Sequence, residues 1–433
     1  MTRTLGFAVL LALVSISARA VAADPTPAPA EKPLDVREPP WGFGDFSWLN
    51  GHNRQPTSLL AVGPVTPSVY VDAYYGYQFQ HPVDHVIFAS TAGARHNEIS
   101  INMAAIGLDV TGLDGPFGRV ILQYASNVET VNAQDASTSR GYFLTARAFQ
   151  YLQQASVGWH FHALHGINLE VGILPSHIGM ETLLTQENWN YTRPFLSDFT
   201  PYYLMAGRIE IYPTDRLFLQ GWVANGWQTY GKWHEAMALG YLVNWRPNDR
   251  ISLTTAGYGG TDDRTDASAV RIYTDTYAQF RYFKSDTGAL RSGAFSVVAD
   301  IGGETDTGAL GMGAALATRL DWARGFGTTL RADTYWDKNQ TFITRLPLGS
   351  PYTLPDQDKP FFALGLTATL DYSPSPWILF RAEYVHRAAT THYFSGSGGI
   401  TGPNGVPATD PATFAPDLRK GDDRVIVAAT LRL

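Results

Sequence analysis

Residues Arg271 to Tyr282 read RIYTDTYAQFRY, so Arg271, Tyr273, Asp275, Tyr277, Gln279 and Arg281 share one parity and Ile272, Ala278, Phe280 and Tyr282 the other. An extended chain with this two-residue period has one polar and one apolar face. One such strand fits any half-buried antiparallel sheet. Here the pattern recurs sixteen times, at 69–79, 97–110, 118–127, 150–163, 166–174, 202–212, 216–226, 236–246, 250–258, 269–284, 292–304, 309–322, 327–337, 361–374, 376–388 and 423–433. That recurrence predicts an all-β fold, a transmembrane antiparallel up-and-down β-barrel whose two faces meet different solvents.

The connections alternate in length. After even-numbered segments come tight turns such as Pro213-Thr214-Asp215 and Pro247-Asn248-Asp249, rich in the residues that such turns demand. After odd-numbered segments come mostly long polar stretches, notably 81–95, 129–147, 175–201, 338–359 and 389–422. Outer-membrane barrels show this asymmetry, with short periplasmic turns and long extracellular loops. Trp159, Trp245, Tyr282, Trp322 and Tyr372 lie on the apolar parity just before short turns, where an aromatic girdle would meet the outer-membrane lipid.

The N-terminus supports export. Arg3 precedes the apolar stretch Leu5 to Val14, and small residues follow at Ala20, Ala22 and Ala23, so residues 1–23 read as a cleaved signal peptide. Beyond them no apolar run approaches the roughly 18 residues of a membrane helix. Residues 24–66 form a Pro-rich periplasmic linker followed by WGFGDFSWLNGHNR, an aromatic stretch without a clean period that suits either a plug in the barrel mouth or a lead-in. Residues 67–433 form the barrel. The chain has no cysteine, hence no disulfide framework and no lipoprotein anchor. Its formal charge of −7, which becomes −9 once Arg3 and Arg19 leave, argues against nucleic acid as a partner.

The polar parity faces the lumen and carries charges that lipid would forbid. Asp72, Arg119, Arg208, Glu210, Arg271, Asp275, Arg281, Asp300, Arg319, Asp321, Arg331, Asp333, Arg381 and Glu383 are therefore expected to line a pore. Four strands repeat Arg-x-acid, at Arg208, Arg319, Arg331 and Arg381, placing opposite charges about 7 Å apart on one face. Such a wall acts either as a charged constriction, with Arg331 and Arg381 setting ion selectivity, or as a cross-strand salt-bridge lattice. The stretch 175–201, with Glu181, Trp189, Tyr191, Arg193 and Asp198, is the candidate constriction loop. Sixteen strands are enough to leave an aqueous channel.

No enzyme, cofactor or metal site is expected. Ser176 and His177 are neighbours that point oppositely on an extended chain, with no carboxylate placed to orient the imidazole. His160 and His162 share the lumen parity, with His165 in the next turn, but no acidic or sulfur ligand is visible nearby in sequence, and they read as wall histidines.

Trp41 to Phe46 (WGFGDF), Tyr70 to Tyr75 (YVDAYY), Ile178 to Glu181 (IGME), Asn188 to Arg193 (NWNYTR) leading to Pro201-Tyr202-Tyr203, Asn225 to Trp227 (NGW) and Arg381 to His386 (RAEYVH) resemble the OmpL-like putative beta-barrel porin-2 family of Gram-negative bacteria. The resemblance spans 41–433 and implies an outer-membrane diffusion channel. With the charged lumen parity, the chain reads as a cell outer-membrane porin for small hydrophilic solutes or ions, monomeric or homotrimeric. Leu433 departs from the terminal aromatic residue by which the outer-membrane assembly machinery usually recognises such barrels. The alternative is a non-conducting structural or adhesion barrel whose extracellular loops bind a partner.

Overall fold

The computed structural model describes residues 40–55, 57–112, 114–132, 135, 137, 145–232, 234–262, 268–344, 355–401 and 415–433; the candidate signal peptide and the linker to residue 39 lie outside them. Sixteen antiparallel strands close into one barrel. They are β1 (Val65–Gln78), β2 (Glu98–Val110), β3 (Pro116–Tyr124), β4 (Leu152–Phe161), β5 (Ile167–Pro175), β6 (Tyr203–Thr214), β7 (Leu217–Ala224), β8 (Ala238–Asn248), β9 (Ile251–Gly260), β10 (Arg271–Lys284), β11 (Leu290–Glu304), β12 (Ala309–Trp322), β13 (Phe326–Asp337), β14 (Phe361–Ser375), β15 (Ile378–Ala389) and β16 (Gly421–Arg432). Neighbours in sequence pair in space. The ring closes where β1 meets β16, with Tyr70 opposite Arg432 and Gln78 opposite Arg424, and closure leaves no sheet edge unpaired.

The alternation explains the two faces. On β10, Tyr273, Asp275, Gln279 and Arg281 are buried inside, while Ile272, Phe280 and Tyr282 are 57%, 37% and 56% exposed on the outside. Trp159, Trp245, Tyr282 and Tyr372 are exposed, and Trp322 is half-buried with its indole N–H donating to Thr328 Oγ1 at 3.0 Å. Tyr372 also stacks on Phe326, with ring centroids 4.7 Å apart.

One end of the barrel carries the short turns. Those after β6, β8 and β14 have two residues each, because the strands run through Pro213, Pro247 and Ser375 rather than stopping at them. The turn after β12 is a 3₁₀ turn, Ala323–Gly325, in which Arg324 and Gly325 have φ of 64° and 79°. A Cβ on Gly325 would lie 2.1 Å from the carbonyl oxygen of Ser373, so only glycine fits. The other end carries the long connections. The one after β3 contains α1 (Ser126–Asn132) and α2 (Thr145–Phe149), the one after β5 contains α3 (Phe195–Asp198), and in the last of them Phe394–Ser395 pairs with Leu418–Arg419.

These connections do not all stay outside. Phe88, Met180, Phe195, Leu196, Phe199, Phe342, Ile343, Tyr393, Phe394 and Ile400 from four of them pack with wall residues Tyr258, Tyr273, Tyr335 and Phe361 into a hydrophobic core within the barrel. An inner wall that is polar near the short turns is thus apolar toward the long loops.

Leu330, 61% exposed on the outer face of β13, tests which solvent that face meets. Leu330→Arg should destabilise the barrel by about 2 to 4 kcal/mol in lipid vesicles. Denaturant titration of the reconstituted protein measures it, and an unchanged midpoint would contradict a lipid-facing position.

Candidate functional site

The connection between β5 and β6, residues 176–202, crosses the barrel interior. An irregular segment in that position needs a partner for each backbone group, and the wall supplies them. Gly179 N donates to Asp275 Oδ2 (2.7 Å), and Tyr191 N and Thr192 N donate to the two oxygens of Glu383 (2.6 and 2.8 Å). Phe195 N donates to Asp333 Oδ2 at 3.0 Å. In the other direction Arg381 donates to the carbonyls of Thr185 (2.9 Å) and Asn188 (3.0 Å), and Arg331 to those of Thr192 and Arg193. The Thr185 hydroxyl donates to Asp72 Oδ2 at 2.9 Å, so the segment reaches from β10 across to β1.

Arg193 ties the segment to itself. Its guanidinium, 1% exposed, donates to the carbonyls of Thr182 (3.0 Å) and Leu183 (2.6 Å) and to Thr91 Oγ1 (2.9 Å) in the connection after β1. Asp198 accepts from Thr91 and from Tyr202, and Arg387 links Asp198 (3.4 Å) to the carbonyl of Arg193 (2.7 Å). Trp189 and Tyr191 are fully buried. Glu181 accepts from Ser197 Oγ (2.5 Å) and Asn50 Nδ2 (3.2 Å), and burial raises its carboxyl pKa from the ordinary value.

The aromatic stretch 41–54 enters from the short-turn end. Trp41 N donates to Asp215 O (3.0 Å) and the Trp48 indole to Asp249 O (3.0 Å), both in short turns. Asn50 then bridges wall and loop: its N–H donates to Gln279 Oε1 (2.8 Å) and its Oδ1 accepts from Trp189 N (2.7 Å). The Trp189 indole returns a bond to Trp48 O at 3.1 Å. The Arg246 guanidinium lies 4.3 Å over Trp41 and 4.7 Å over Phe46, and Arg281 pairs with Asp45 at 3.0 Å. Gly51, at φ 72°, is so close to the loop that a Cβ would come within 2.0 Å of Met180 O.

The charges expected to line the pore therefore divide. Asp72, Asp275, Arg281, Asp300, Arg319, Arg331, Asp333, Arg381 and Glu383 are all buried, so they meet protein groups rather than open water. Most hold the loop, while Arg281 grips Asp45 and Asp249, Asp300 accepts from Tyr273 Oη (3.0 Å), and Arg319 joins Asp321 (2.8 Å) to Asp371 (2.6 Å). Arg271 is paired with Glu304 at 2.5 Å, its side chain 13% exposed. Arg119, Arg208, Glu210 and Asp321 keep side-chain exposures of 43, 17, 12 and 34%. Arg208 lies between Glu170 (2.5 Å) and Glu210 (3.3 Å). His160 hydrogen-bonds Asn168 Oδ1 (2.7 Å) and His162 pairs with Asp114 (2.9 Å).

Sequence reasoning missed Asn50 and Arg387 as anchors. Arg387 shares its parity with Arg381 and Glu383, so the signal was present; Asn50 sits in a stretch without a period and had none.

Between loop and wall on the β1–β6 side lies a cavity of about 490 Å³. It runs from Asn53, Gln55 and Arg432 near the short-turn end, past Tyr70, Arg119 and Gln154, to Gln153, Pro175 and Tyr203 near the long loops.

The sequence profile of the family described as "Putative beta-barrel porin-2, OmpL-like" matches residues 64–414. Among solved structures, the anion-selective porin from Comamonas acidovorans is similar in fold at 11% identity, with a TM-score of 0.51 over 85% of this chain and 99% of that one. The outer membrane channel DcaP of Acinetobacter baumannii aligns at 12% identity over 85% of this chain and 97% of that one (TM-score 0.49), and OmpT of Vibrio cholerae at 10% over 87% and 100% (TM-score 0.48). No curated protein matches the sequence.

Glu383→Ala would leave the amides of Tyr191 and Thr192 without acceptors. At roughly 1 to 3 kcal/mol for each buried unpaired donor, the loss should be about 2 to 6 kcal/mol. Unfolding titrations in vesicles read it, and an unshifted midpoint would show that the loop is held by other contacts.

Proposed function

Given that this chain belongs to the putative beta-barrel porin-2, OmpL-like family and is an outer-membrane porin, we propose that solutes cross it through the crescent between the inward loop and strands β1–β6. The observation that carries this reading is the anchoring of residues 176–202 to the opposite wall. Charges on β10, β13 and β15 are occupied by loop backbone, so the loop fills that side of the lumen at its own level, while Arg119, Gln123 and Gln154 on β3 and β4 border the free space.

In this reading residues 41–54 act as a plug that narrows the periplasmic mouth. Their seat on Gln279, Arg281 and Trp189 supports it. Passage down a concentration gradient asks no chemistry of the wall, and Ser176 and His177 have other work. Ser176 Oγ accepts from Ile178 N at 3.0 Å, and His177 stacks on Trp222 (4.7 Å between centroids) with Nε2 on Gly257 O at 2.9 Å.

Purified protein in a planar bilayer should give discrete conductance steps. Silence across salts and voltages would favour a non-conducting adhesion barrel instead. A variant lacking residues 41–54 should conduct more per channel than the intact chain; equal unitary conductance would place the plug outside the route.

A further inference from the structure

We infer that the crescent passage favours uncharged, hydroxyl-rich solutes, such as free sugars and polyols, and discriminates only weakly between anions and cations. The inference rests on the crescent being the solute route. Its lining contains five charged or titratable acidic and basic side chains: Asp109, Arg119, Glu181, Glu187 and Arg432. Each is neutralised locally. Arg119 donates to Asp109 across the β2–β3 pair and lies 3.5 Å from Gln154 Oε1. Arg432, at the end of β16, pairs with Glu187 of the inward loop. Glu181 accepts from Ser197 and Asn50 and lies in the field of the Arg331 and Arg193 guanidiniums.

The rest of the polar lining is amide and hydroxyl, with Ser68, Gln123, Gln153, Gln154 and Thr182 along the length of the cavity. These groups both donate and accept. An ion entering a narrow polar passage sheds hydration, and without a net wall charge nothing of opposite sign replaces it. A neutral polyol exchanges water for amide and hydroxyl partners at little cost. The volume, about 490 Å³, is that of a small-molecule site rather than of an unobstructed pore.

The wider flank toward the short turns carries more acid than base, with Arg208 between Glu170 and Glu210, and Asp114 beside His162. Asp114 is 83% exposed in its side chain and open to screening by salt, so the narrow stretch governs selectivity. At the same short-turn end a second space, around Arg281, Lys284 and Arg319, meets the crescent at Asn53, Gln55, Glu187 and Arg432 and is wider than it.

The test combines proteoliposome swelling with reversal potentials in planar bilayers, using the full chain. Vesicles should swell in glucose and xylitol, and the zero-current potential across a KCl gradient should lie close to zero. Asp109→Asn frees the Arg119 guanidinium and should raise the anion-to-cation permeability ratio about fivefold; Arg119→Gln frees Asp109 and should lower it by about the same factor. Opposite shifts in the two variants support the inference. A wild-type potential near the limit for a single ion, or no shift in either variant, overturns it while leaving the porin intact. Absence of both swelling and conductance overturns the porin reading itself, and the inference with it.

Discussion

An irregular peptide inside a barrel has neither a sheet ladder nor bulk water for its amides and carbonyls, so its position depends on side chains that can bond them. In this protein those side chains are ionised groups of the wall. Glu383 accepts two consecutive amides, Asp275 and Asp333 one each, and Arg331 and Arg381 together donate to four carbonyls. A buried charge is costly unless it is both paired and hydrogen-bonded. Here Arg331 also meets Asp333 at 3.2 Å on its own strand and Arg381 meets Asp371 at 2.7 Å on the next, so each buried cation has an acid beside it.

The rest of the interior is built on that capture. Trp189, held inside by the loop, receives Asn50 and so seats the N-terminal aromatic stretch. Thr91 and Ala89, from the connection after β1, close over Arg193 and Arg387. Together these segments turn an inner wall wide enough for an open pore into one with a core on the β7–β15 side and a polar crescent on the other. The outer face is independent of all this. Its exposed Leu, Ile, Val and aromatic residues need only the alternation of the strands and a surrounding lipid.

Much of this was legible in the sequence. The sixteen segments, the long loop between the fifth and sixth, and the mixed charges of the lumen parity can all be read from period and composition. The division of those charges cannot. Arg208-Ile209-Glu210 and Arg331-Ala332-Asp333 carry the same local pattern, yet Arg208 pairs with a neighbouring strand in the lumen while Arg331 is buried under residues that precede it by almost 140 positions. Nor could the stretch 41–54 be assigned, because its contacts with Asp249 and Gln279 are made one residue at a time by a chain with no repeating face.

By itself, then, the sequence determined the barrel: strand number, the lipid face, and the alternation of short turns with long loops. These follow from a two-residue period and from turn chemistry, both properties of near neighbours in the chain. Only the tertiary structure decided which lumen charges hold the loop and which border the passage. That choice is made by hydrogen bonds between residues far apart in sequence, and a charge on the inner face looks the same in one dimension whether its partner is water or the backbone of a distant loop.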